Sequence, residues 1–498
     1  MKKIKLSIFF IFVLCTALLM SCNNQEANKP AVAAENADAN IEKNNQAEPN
    51  NNENDSYIYP ALDCGEEDFT FLNVTTTWDF YTTIVHDEMT GDVLDDAIYS
   101  RNRFLEEKFN VNFKEVGVNI FDITGILRKT VMTGDDIYDA AYTPGQLNEN
   151  NVGALITSNL LHNLKDIPEL NLGEYWWNQN ICNGAAIGNF NSLYFAGCDI
   201  NIMNLQGAWC VFFNESIFQN LGLEMPYNLV KTGKWTFDEF YGYMKAGTSL
   251  NGAADFKWDL SGPAVYGMTS YEYGMAALIA ASGERYIQKN SDGMPYLAIQ
   301  NERFFNVCDK IADMVKNNGE YQNANNYDTG FHFEMIFRDN KAAMLIGEFK
   351  AADVFRTMDT IYGIVPLPKY DEAQQNYHTI VHSSSPLLVI PLTNTELSRA
   401  GIILDALAYL SHKDVTPVFF DTTLSLKRLH NEESIEMLKI IRNSVFVELG
   451  TAFGWTSDLS TAIFSALDKG KNNAITLIEK NEGKIESSMN KTMEYFGN

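Results

Sequence analysis

Six aromatic and four polar side chains stand where the sequence pattern places loops or strand ends, away from the periodic stripes that build a core. They are Trp78, Tyr142, Tyr271, Tyr273, Phe349, Trp455, Asp79, Gln146, Asp199 and Glu348. One such ring more often packs in a core than against a ligand. Several rings beside carboxylates and an amide suit a neutral polyhydroxyl compound, which presents apolar C–H faces and hydroxyl edges. The set therefore predicts a binding site for a small neutral ligand of the sugar type.

Sequence motifs typical of enzymes are absent. The chain has no HExxH, GxSxG, GxxxxGK[ST], CxxC or EF-hand pattern. Adjacent carboxylates such as Glu66 and Glu67 point apart, whereas glycosidase carboxylates face one another across a cleft. His382 precedes three serines, but a polar loop before a strand explains this equally well. His378 and His382 lie in a strand-like stretch, where residues four apart diverge. We expect a protein that is not an enzyme, with no catalytic residue, cofactor or metal site.

The first 22 residues have the pattern of an export signal. Lys2, Lys3 and Lys5 precede an apolar run over residues 6–20, which is shorter than the roughly 18 to 20 residues of a membrane-spanning helix. The stretch Leu19-Met20-Ser21-Cys22 resembles the lipobox of bacterial lipoproteins. That resemblance implies a signal peptide over residues 1–21 and a mature chain whose first residue, Cys22, carries fatty acids such as palmitate. The alternative is a plain signal peptide with an accidental cysteine.

Composition separates a flexible tether from a globular body. Residues 23–60 are mostly Asn, Ala and Glu, and they carry too few large apolar side chains to fold, so we predict a lipid anchor and disordered tether over residues 22–64. The whole chain is 46% hydrophobic and 12% aromatic, which indicates a folded remainder. Its formal charge of −27 falls by three, to −30, when the signal lysines leave. Such an acidic surface makes nucleic acid and anionic lipid headgroups unsuitable partners.

Cysteine usage argues against a disulfide framework. Five cysteines remain after the signal and the lipidated residue are set aside, namely Cys64, Cys182, Cys198, Cys210 and Cys308. Their number is odd and their spacing has no CxxC pair, so a structural zinc site is not expected either. The sequence alone does not decide whether Cys182 and Cys198 form one disulfide bridge.

Hydrophobic periodicity predicts alternating strands and helices. Strand patterns cover residues 68–77, 111–118, 137–142, 342–349 and 385–393. Helix patterns cover the stretch with Leu94, Ile98, Leu105 and Phe109, residues 123–134, the stretch with Phe304, Cys308, Ile311 and Val315, residues 396–414, and most of residues 433–496. This rhythm is typical of α/β proteins with parallel sheets. The sequence shows no repeat at a fixed period, so it does not support a solenoid or a propeller.

Several stretches in order resemble one family. GAWCVFFNESIFQNLGLEMP (207–226), GKWTFDEF (233–240), FRDNKAAMLIGEF (337–349) and IYGIVPLPKYDE (361–372) resemble segments of bacterial extracellular solute-binding proteins of ABC importers. The likeness is to the carbohydrate-binding group that includes maltose-binding protein. NEESIEMLKIIRNSVFVELG (431–450) is similar to a run found in uncharacterised members. Asn340 stands where the family usually has glycine.

The resemblance implies a two-lobe, periplasmic-binding-protein-like (type II) α/β clamp with crossing hinge strands. Lobe one would comprise residues 65–200 and 366–412, and lobe two residues 201–365 and 413–498. Tyr142 and Gln146 match the family's loop after the third strand, which contacts sugar. Trp78 and Asp79 match the loop after the first strand. Tyr271 and Tyr273 match an aromatic loop of the second lobe. Phe349 and Trp455 match positions of stacking rings, although Glu348 and Phe349 replace the family's Pro-Trp.

The implied function is capture of a small neutral ligand, a sugar or oligosaccharide, and delivery to an ABC permease. We expect a monomer that is extracytoplasmic and lipid-anchored to the outer face of the cell membrane. The alternatives are a surface glycan-degrading lipoprotein enzyme, or the ligand subunit of a sensor or a binder of oligopeptides or metals.

Overall fold

Two β-sheets organise the computed structural model, which describes residues 57–76, 80–147, 150–259, 261–323, 333–425 and 432–496. The predicted signal peptide, Cys22, most of the tether, Trp78 and Asp79 lie outside the described residues. The described residues belong to one compact unit that begins at Tyr57.

The described strands are numbered in chain order. They are β1 (Glu67–Thr76), β2 (Val111–Asn119), β3 (Ala140–Pro144), β4 (Gln146–Leu147), β5 (Asn150–Asn151), β6 (Trp209–Asn214), β7 (Tyr266–Ser270), β8 (Ile287–Lys289), β9 (Pro295–Leu297), β10 (Tyr321–Asn323), β11 (Ala342–Glu348), β12 (Tyr362–Val365), β13 (Thr379–Ile380), β14 (Pro386–Val389) and β15 (Val445–Phe446). Short antiparallel pairs join β4 with β5 and β8 with β9, and β13 pairs in parallel with β15.

The described α-helices are numbered in the same way. They are α1 (Val93–Phe109), α2 (Ile123–Thr133), α3 (Val152–Ile156), α4 (Gln179–Ala185), α5 (Met203–Gln206), α6 (Glu215–Asn220), α7 (Tyr227–Lys231), α8 (Phe237–Gly247), α9 (Tyr273–Ala281), α10 (Glu302–Val315), α11 (Phe333–Arg338), α12 (Leu397–Leu410), α13 (Thr416–Ser425), α14 (Glu432–Ser444), α15 (Leu449–Ala452), α16 (Ser457–Leu467) and α17 (Ala474–Tyr495). Short 3₁₀ segments cover Leu164–Asp166, Pro168–Leu170 and Phe349–Thr357, and a π-turn covers Ser411–Val415.

Sheet one has the strand order β14-β3-β1-β2. β1 runs parallel to both β2 and β3, with Phe69 opposite Phe113, while β14 pairs antiparallel with β3. Asp92 caps α1 by accepting bonds from two amides of the first turn, and Asn110 ends it in the left-handed conformation with φ 51°. The predicted strands and helices of residues 68–142 are thus confirmed.

Sheet two has the strand order β10-β7-β11-β6-β12. β7 runs parallel to β10 and β11, and β6 pairs antiparallel with β11 and β12. All six residues of β6 are buried, as expected of a strand covered on both faces. The predicted strand β11, the helices α10 and α12, and the helical C-terminal stretch are confirmed as well.

Two chain segments cross between the sheets. The first leaves Ala196, which pairs with Leu388 of β14, and reaches β6 at Trp209. The second leaves the end of β12 and reaches the start of β14. The two segments pair with each other where Ala208 lies opposite Val381. The resemblance implies hinge strands in SLYFAGCDI (192–200), AWCVFF (208–213) and TIYGIVPLP (360–368), and the two crossings begin or end within these segments.

The five cysteines of the described chain are free, buried thiols. The sequence left a bridge between Cys182 and Cys198 open, and none is present between them. None of the helices in the described ranges is both long and apolar enough to cross a membrane.

Candidate functional site

A cavity of about 700 Å³ lies between elements attached to the two sheets. From sheet one it receives Gln146 of β4 and the 382–385 loop before β14. From sheet two it receives Trp209 of β6 and α9, which follows β7. The strand β15 and the helices α15 and α16 complete its wall. Its volume falls within the range of about 300 to 1,000 Å³ of sites for small molecules.

Five aromatic rings of the described residues line the cavity. They are Trp209, Tyr273, Tyr286, Phe446 and Phe464. Trp209 is almost fully buried, whereas Tyr273 keeps 38% of its surface exposed. The ring of Tyr273 rests on that of Phe464, with centroids 4.8 Å apart. The wall therefore offers one accessible ring held in place by others, which is the arrangement that a flat apolar ligand face requires.

The helix α9 approaches β7 closely because Gly274 has no side chain. A Cβ atom at Gly274 would lie 2.2 Å from Oγ of Ser270, and that hydroxyl is engaged with the carbonyl of Ile346 at 2.8 Å. The glycine thus allows the first turn of α9 to lie against the sheet. This contact places Tyr273 at the edge of the cavity.

A stripe of hydroxyl groups on α16 forms the polar wall. Ser457, Ser460, Thr461 and Ser465 all line the cavity, at spacings of three to four residues that share one helix face. Ser465 Oγ donates to a carboxylate oxygen of Glu272, at 2.6 Å, and so ties α16 to the start of α9. The helix therefore turns hydroxyl groups toward the space that a ligand would occupy.

One hydrogen bond joins two residues of the cavity wall. Gln146 Nε2 donates to Ser457 Oγ at 2.5 Å, although 311 positions separate the two residues in the chain. Gln146 lies in β4, directly after β3 of sheet one, and Ser457 lies in α16, which packs on α9 beside sheet two, so this bond joins elements attached to the two sheets.

The 382–385 loop packs tightly against Gly207 of the other crossing segment. His382 N donates to the carbonyl of Gly207 at 2.7 Å, and a Cβ atom at Gly207 would lie 2.7 Å from Ser385 Oγ. His382 Nδ1 accepts a bond from Ser384 N at 3.2 Å, so the neutral ring carries its proton on Nε2. Burial lowers the pKa of His382, which keeps the ring neutral at pH 7.

The charged side chains of the wall are carboxylates. Glu284, Glu448 and Asp458 line the cavity, and no lysine or arginine does so among the described lining residues. Glu284 pairs with Arg303 at 3.1 Å, and Asp458 pairs with Lys484 at 2.6 Å.

Glu448 forms no ion pair with a described residue. It accepts bonds from the amides of Ile287 at 3.2 Å and Gly450 at 3.4 Å. Burial raises the pKa of Glu448, while nearby Arg285 and these amides oppose the shift. The wall thus offers acceptors and hydroxyl groups rather than cations.

The structure brings some of the predicted site residues together. Gln146 and Tyr273 line the cavity. Tyr271 lies behind Trp209, with ring centroids 5.6 Å apart, and its hydroxyl donates to Glu348 Oε1 at 2.8 Å. Glu348 is buried. These two residues form a layer that supports the aromatic wall.

The other predicted residues lie away from this cavity or outside the described chain. Tyr142 is fully buried in β3 and contacts Cys198 Sγ. Asp199 is buried and paired with Arg442, and Phe349 is buried against Phe419. Trp455 stacks on a neighbouring ring and donates from Nε1 to Thr492. Trp78 and Asp79 are outside the described residues, so their roles stay predictions.

The electrostatics of Asp199 indicate a structural role. Burial would raise the pKa of this carboxyl, but the attraction of Arg442 and hydrogen bonds from His412 and Arg442 outweigh it and hold the pKa well below its usual range. Asp199 therefore stays ionised within a buried ion pair.

Sequence reasoning missed the hydroxyl stripe of α16 and the rings of Trp209, Tyr286, Phe446 and Phe464. The stripe has a detectable signal, since the hydroxyl residues recur with helical spacing in TSDLSTAIFSAL. The rings have none, because their pattern is that of ordinary core residues.

No protein-family model matches the chain by sequence, and no curated protein does. Solved structures do match by fold.

A cyclo/maltodextrin-binding protein complexed with maltotetraose matches with a TM-score of 0.57 and 12% identity, over 85% of this chain and 97% of that one. A cyclic alpha-maltosyl-1,6-maltose binding protein from Arthrobacter globiformis matches with a TM-score of 0.56 and 11% identity, over 85% and 99%. An ABC substrate-binding protein from Listeria monocytogenes in complex with cycloalternan matches with a TM-score of 0.52 and 12% identity, over 87% and 99%. The chain is thus similar in fold to an ABC substrate-binding protein and to two further sugar-binding proteins, and the predicted α/β fold, a two-lobe type II clamp with crossing strands, is confirmed.

Proposed function

We propose that the protein is an extracellular solute-binding protein that captures a neutral sugar or oligosaccharide and delivers it to an ABC permease. The observation that carries the proposal is the cavity between the two sheets, whose wall combines five rings with the hydroxyl stripe of α16. Rings cover the apolar face of a sugar, and hydroxyl, amide and carboxylate groups bond its edges. The structures of similar fold were solved as sugar-binding proteins, which supports the same ligand class.

The chemistry of the wall favours an uncharged ligand. The described lining residues include no lysine or arginine, and His382 is neutral at pH 7. An anionic sugar would therefore leave its charge unpaired and desolvated. Tyr286 and Ser385 have buried hydroxyl oxygens without a hydrogen-bond partner among the described residues. Hydroxyl groups of a sugar are suited to such positions.

Capture proceeds by closure of two lobes, which trap the ligand by contacts from both sides. The lobes are residues 65–200 with 366–412 and residues 201–365 with 413–498. All strands of sheet one fall in the first set and all strands of sheet two in the second, which supports these limits. The bond between Gln146 and Ser457 then belongs to the closed state. Gln146 and Tyr273 act as ligand contacts from opposite lobes.

The mature chain is a monomeric, catalytically inactive lipoprotein, held outside the cell membrane by Cys22. The sequence Leu19-Met20-Ser21-Cys22 and the polar stretch behind it support this anchor. The Cys22→Ser variant should incorporate no labelled palmitate, since it lacks the thiol to which an acyl chain would be attached. Labelling equal to that of the unsubstituted chain would exclude Cys22 as the anchor.

The function is tested by a thermal-shift panel of neutral oligosaccharides, their uronic-acid counterparts, amino acids and divalent metal salts. A ligand that binds only the folded state stabilises it by about 2.7 kcal/mol at a hundredfold excess over Kd. We expect a neutral oligosaccharide to raise the melting temperature, followed by a single binding site in calorimetry. A panel in which only peptides or metal salts act would contradict the proposal.

The same ligands separate binding from catalysis. After long incubation with the protein, the bound oligosaccharide should be recovered unchanged. New reducing ends that grow with protein concentration would instead identify a glycan-degrading enzyme.

A further inference from the structure

The hairpin of β8 and β9 contacts a segment that leads to the other sheet. Along the chain, the hairpin follows α9 and precedes α10, in the connection from β7 to β10 of sheet two. Residues 183–190 comprise the last turn of α4 and the stretch after it, and they precede Ala196, which pairs with β14 of sheet one. The two segments are about a hundred positions apart in the chain, and they connect to different sheets.

A single ammonium group joins them. Lys289 Nζ donates to three main-chain carbonyls, those of Asn183 at 2.6 Å, Gly184 at 2.9 Å and Ala186 at 2.6 Å. An ammonium group has three donors, and all three are used here. Two of the carbonyls belong to α4 and the third directly follows it, where helix carbonyls lack partners and favour a cation.

Further contacts seat the hairpin on the same segment. The amide of Asn189 donates to the carbonyl of Asp292 in the hairpin turn, at 2.9 Å. The ammonium of Lys289 also lies 5.1 Å from the ring centroid of Phe190. The hairpin is therefore held at its turn and at its first strand.

The hairpin is continuous with the cavity wall. Tyr286, whose ring lines the cavity, immediately precedes β8. The next residue, Ile287, donates its amide to the wall carboxylate of Glu448 at 3.2 Å. A movement of the hairpin away from residues 183–190 would therefore displace part of the wall.

We propose that Lys289 is a positioning residue whose ammonium group clasps the hairpin to residues 183–190, holds the cavity closed and sets how long the ligand stays bound. This inference rests on the proposed capture of a ligand by closure. The clasp makes no contact with the cavity itself among the described lining residues, so its effect is on ligand release rather than on recognition.

The test compares Lys289→Met with Lys471→Met, which removes an exposed lysine far from the hairpin in the chain. Hydrogen–deuterium exchange is measured first, on the ligand-free proteins. We expect faster exchange in peptides covering residues 183–192 and 287–297 of Lys289→Met only, and unchanged exchange in β1 and β6. Displacement of a bound neutral oligosaccharide should then show a dissociation rate raised by about tenfold, with little change in the association rate.

Each outcome decides the question. Unchanged exchange in both segments would overturn the clasp. Faster exchange with an unchanged dissociation rate would show a contact that does not govern release, which also overturns the proposal. If no oligosaccharide binds the unsubstituted protein, the proposed function fails, and the exchange result alone establishes or removes the clasp.

Discussion

Replacing Tyr273 with alanine should weaken binding of a neutral oligosaccharide by tenfold or more while the protein stays folded. Tyr273 is the exposed ring of the cavity wall, with 38% of its surface accessible. A ring that covers roughly 70 Å² of a sugar face contributes about 2 kcal/mol at about 25 cal/mol per Å². About 1.4 kcal/mol corresponds to tenfold in affinity. Calorimetry at constant temperature measures the loss.

Two further variants test whether loss of the Tyr273 ring itself causes the weaker binding. Tyr273→Phe retains the ring and should bind within about threefold of the original protein, because the stacked area and not the hydroxyl supplies most of the energy. Tyr175→Ala removes a tyrosine that is similarly exposed, at 46%, but lies outside the cavity wall, and it should bind normally. Equal affinity of Tyr273→Ala and Tyr175→Ala would exclude Tyr273 from the ligand site.

The secondary structure was predictable because it depends on local periodicity. The residues Leu94, Ile98, Leu105 and Phe109 are all buried along α1, as their spacing predicts. The continuous apolar run of β11 likewise becomes a strand buried along its whole length. In both cases the pattern within one segment contains the information that decides its structure.

The candidate site was harder to predict because contacts between distant segments decide it. Tyr142 ends a strand in the sequence, yet β14 covers it from more than 240 positions away, and the ring is fully buried. Trp455 lies in a loop, but its Nε1 bonds to Thr492 of the last helix. Gln146 lies in the cavity wall and donates to Ser457, 311 positions away in the chain. No local pattern distinguishes these three environments.

The fold is similar to that of proteins with which this chain shares little sequence identity. The similar structures share only 11 or 12% of their residues with this chain, and no family model matches it. Burial patterns tolerate exchange among apolar residues of suitable size, so many sequences can specify one arrangement of sheets. Ligand contacts are more exacting, which is why the proposed site depends on the geometry of this chain's own residues.

Replacing Asp405 with alanine should lower the free energy of unfolding by about 3 to 5 kcal/mol, because two buried indole donors would lose their acceptor at a cost of about 1 to 3 kcal/mol each. Asp405 lies in α12 with no exposed surface. Its Oδ1 accepts bonds from the indole nitrogens of Trp176 at 2.8 Å and Trp177 at 2.9 Å. Its Oδ2 accepts bonds from Tyr57 and Asn171, both at 2.9 Å. Alanine would leave four donors without their acceptor.

The Asp405→Asn variant should also destabilise the fold, because the amide N–H group of asparagine would face neighbouring donors and could not accept their hydrogen bonds. Asp421→Ala on the exposed surface of α13 is the matched control and should change stability by less than about 0.5 kcal/mol. Urea unfolding of the three variants, monitored by tryptophan fluorescence and circular dichroism, gives the comparison. Because Asp405 accepts a bond from Tyr57, it also holds the first described residues, 57–64, which lie within the predicted tether limits of 22–64, against the body. A loss below about 1 kcal/mol for Asp405→Ala would mean that water replaces the carboxylate for all four donors, and that this end of the body is far more open to solvent than its burial indicates.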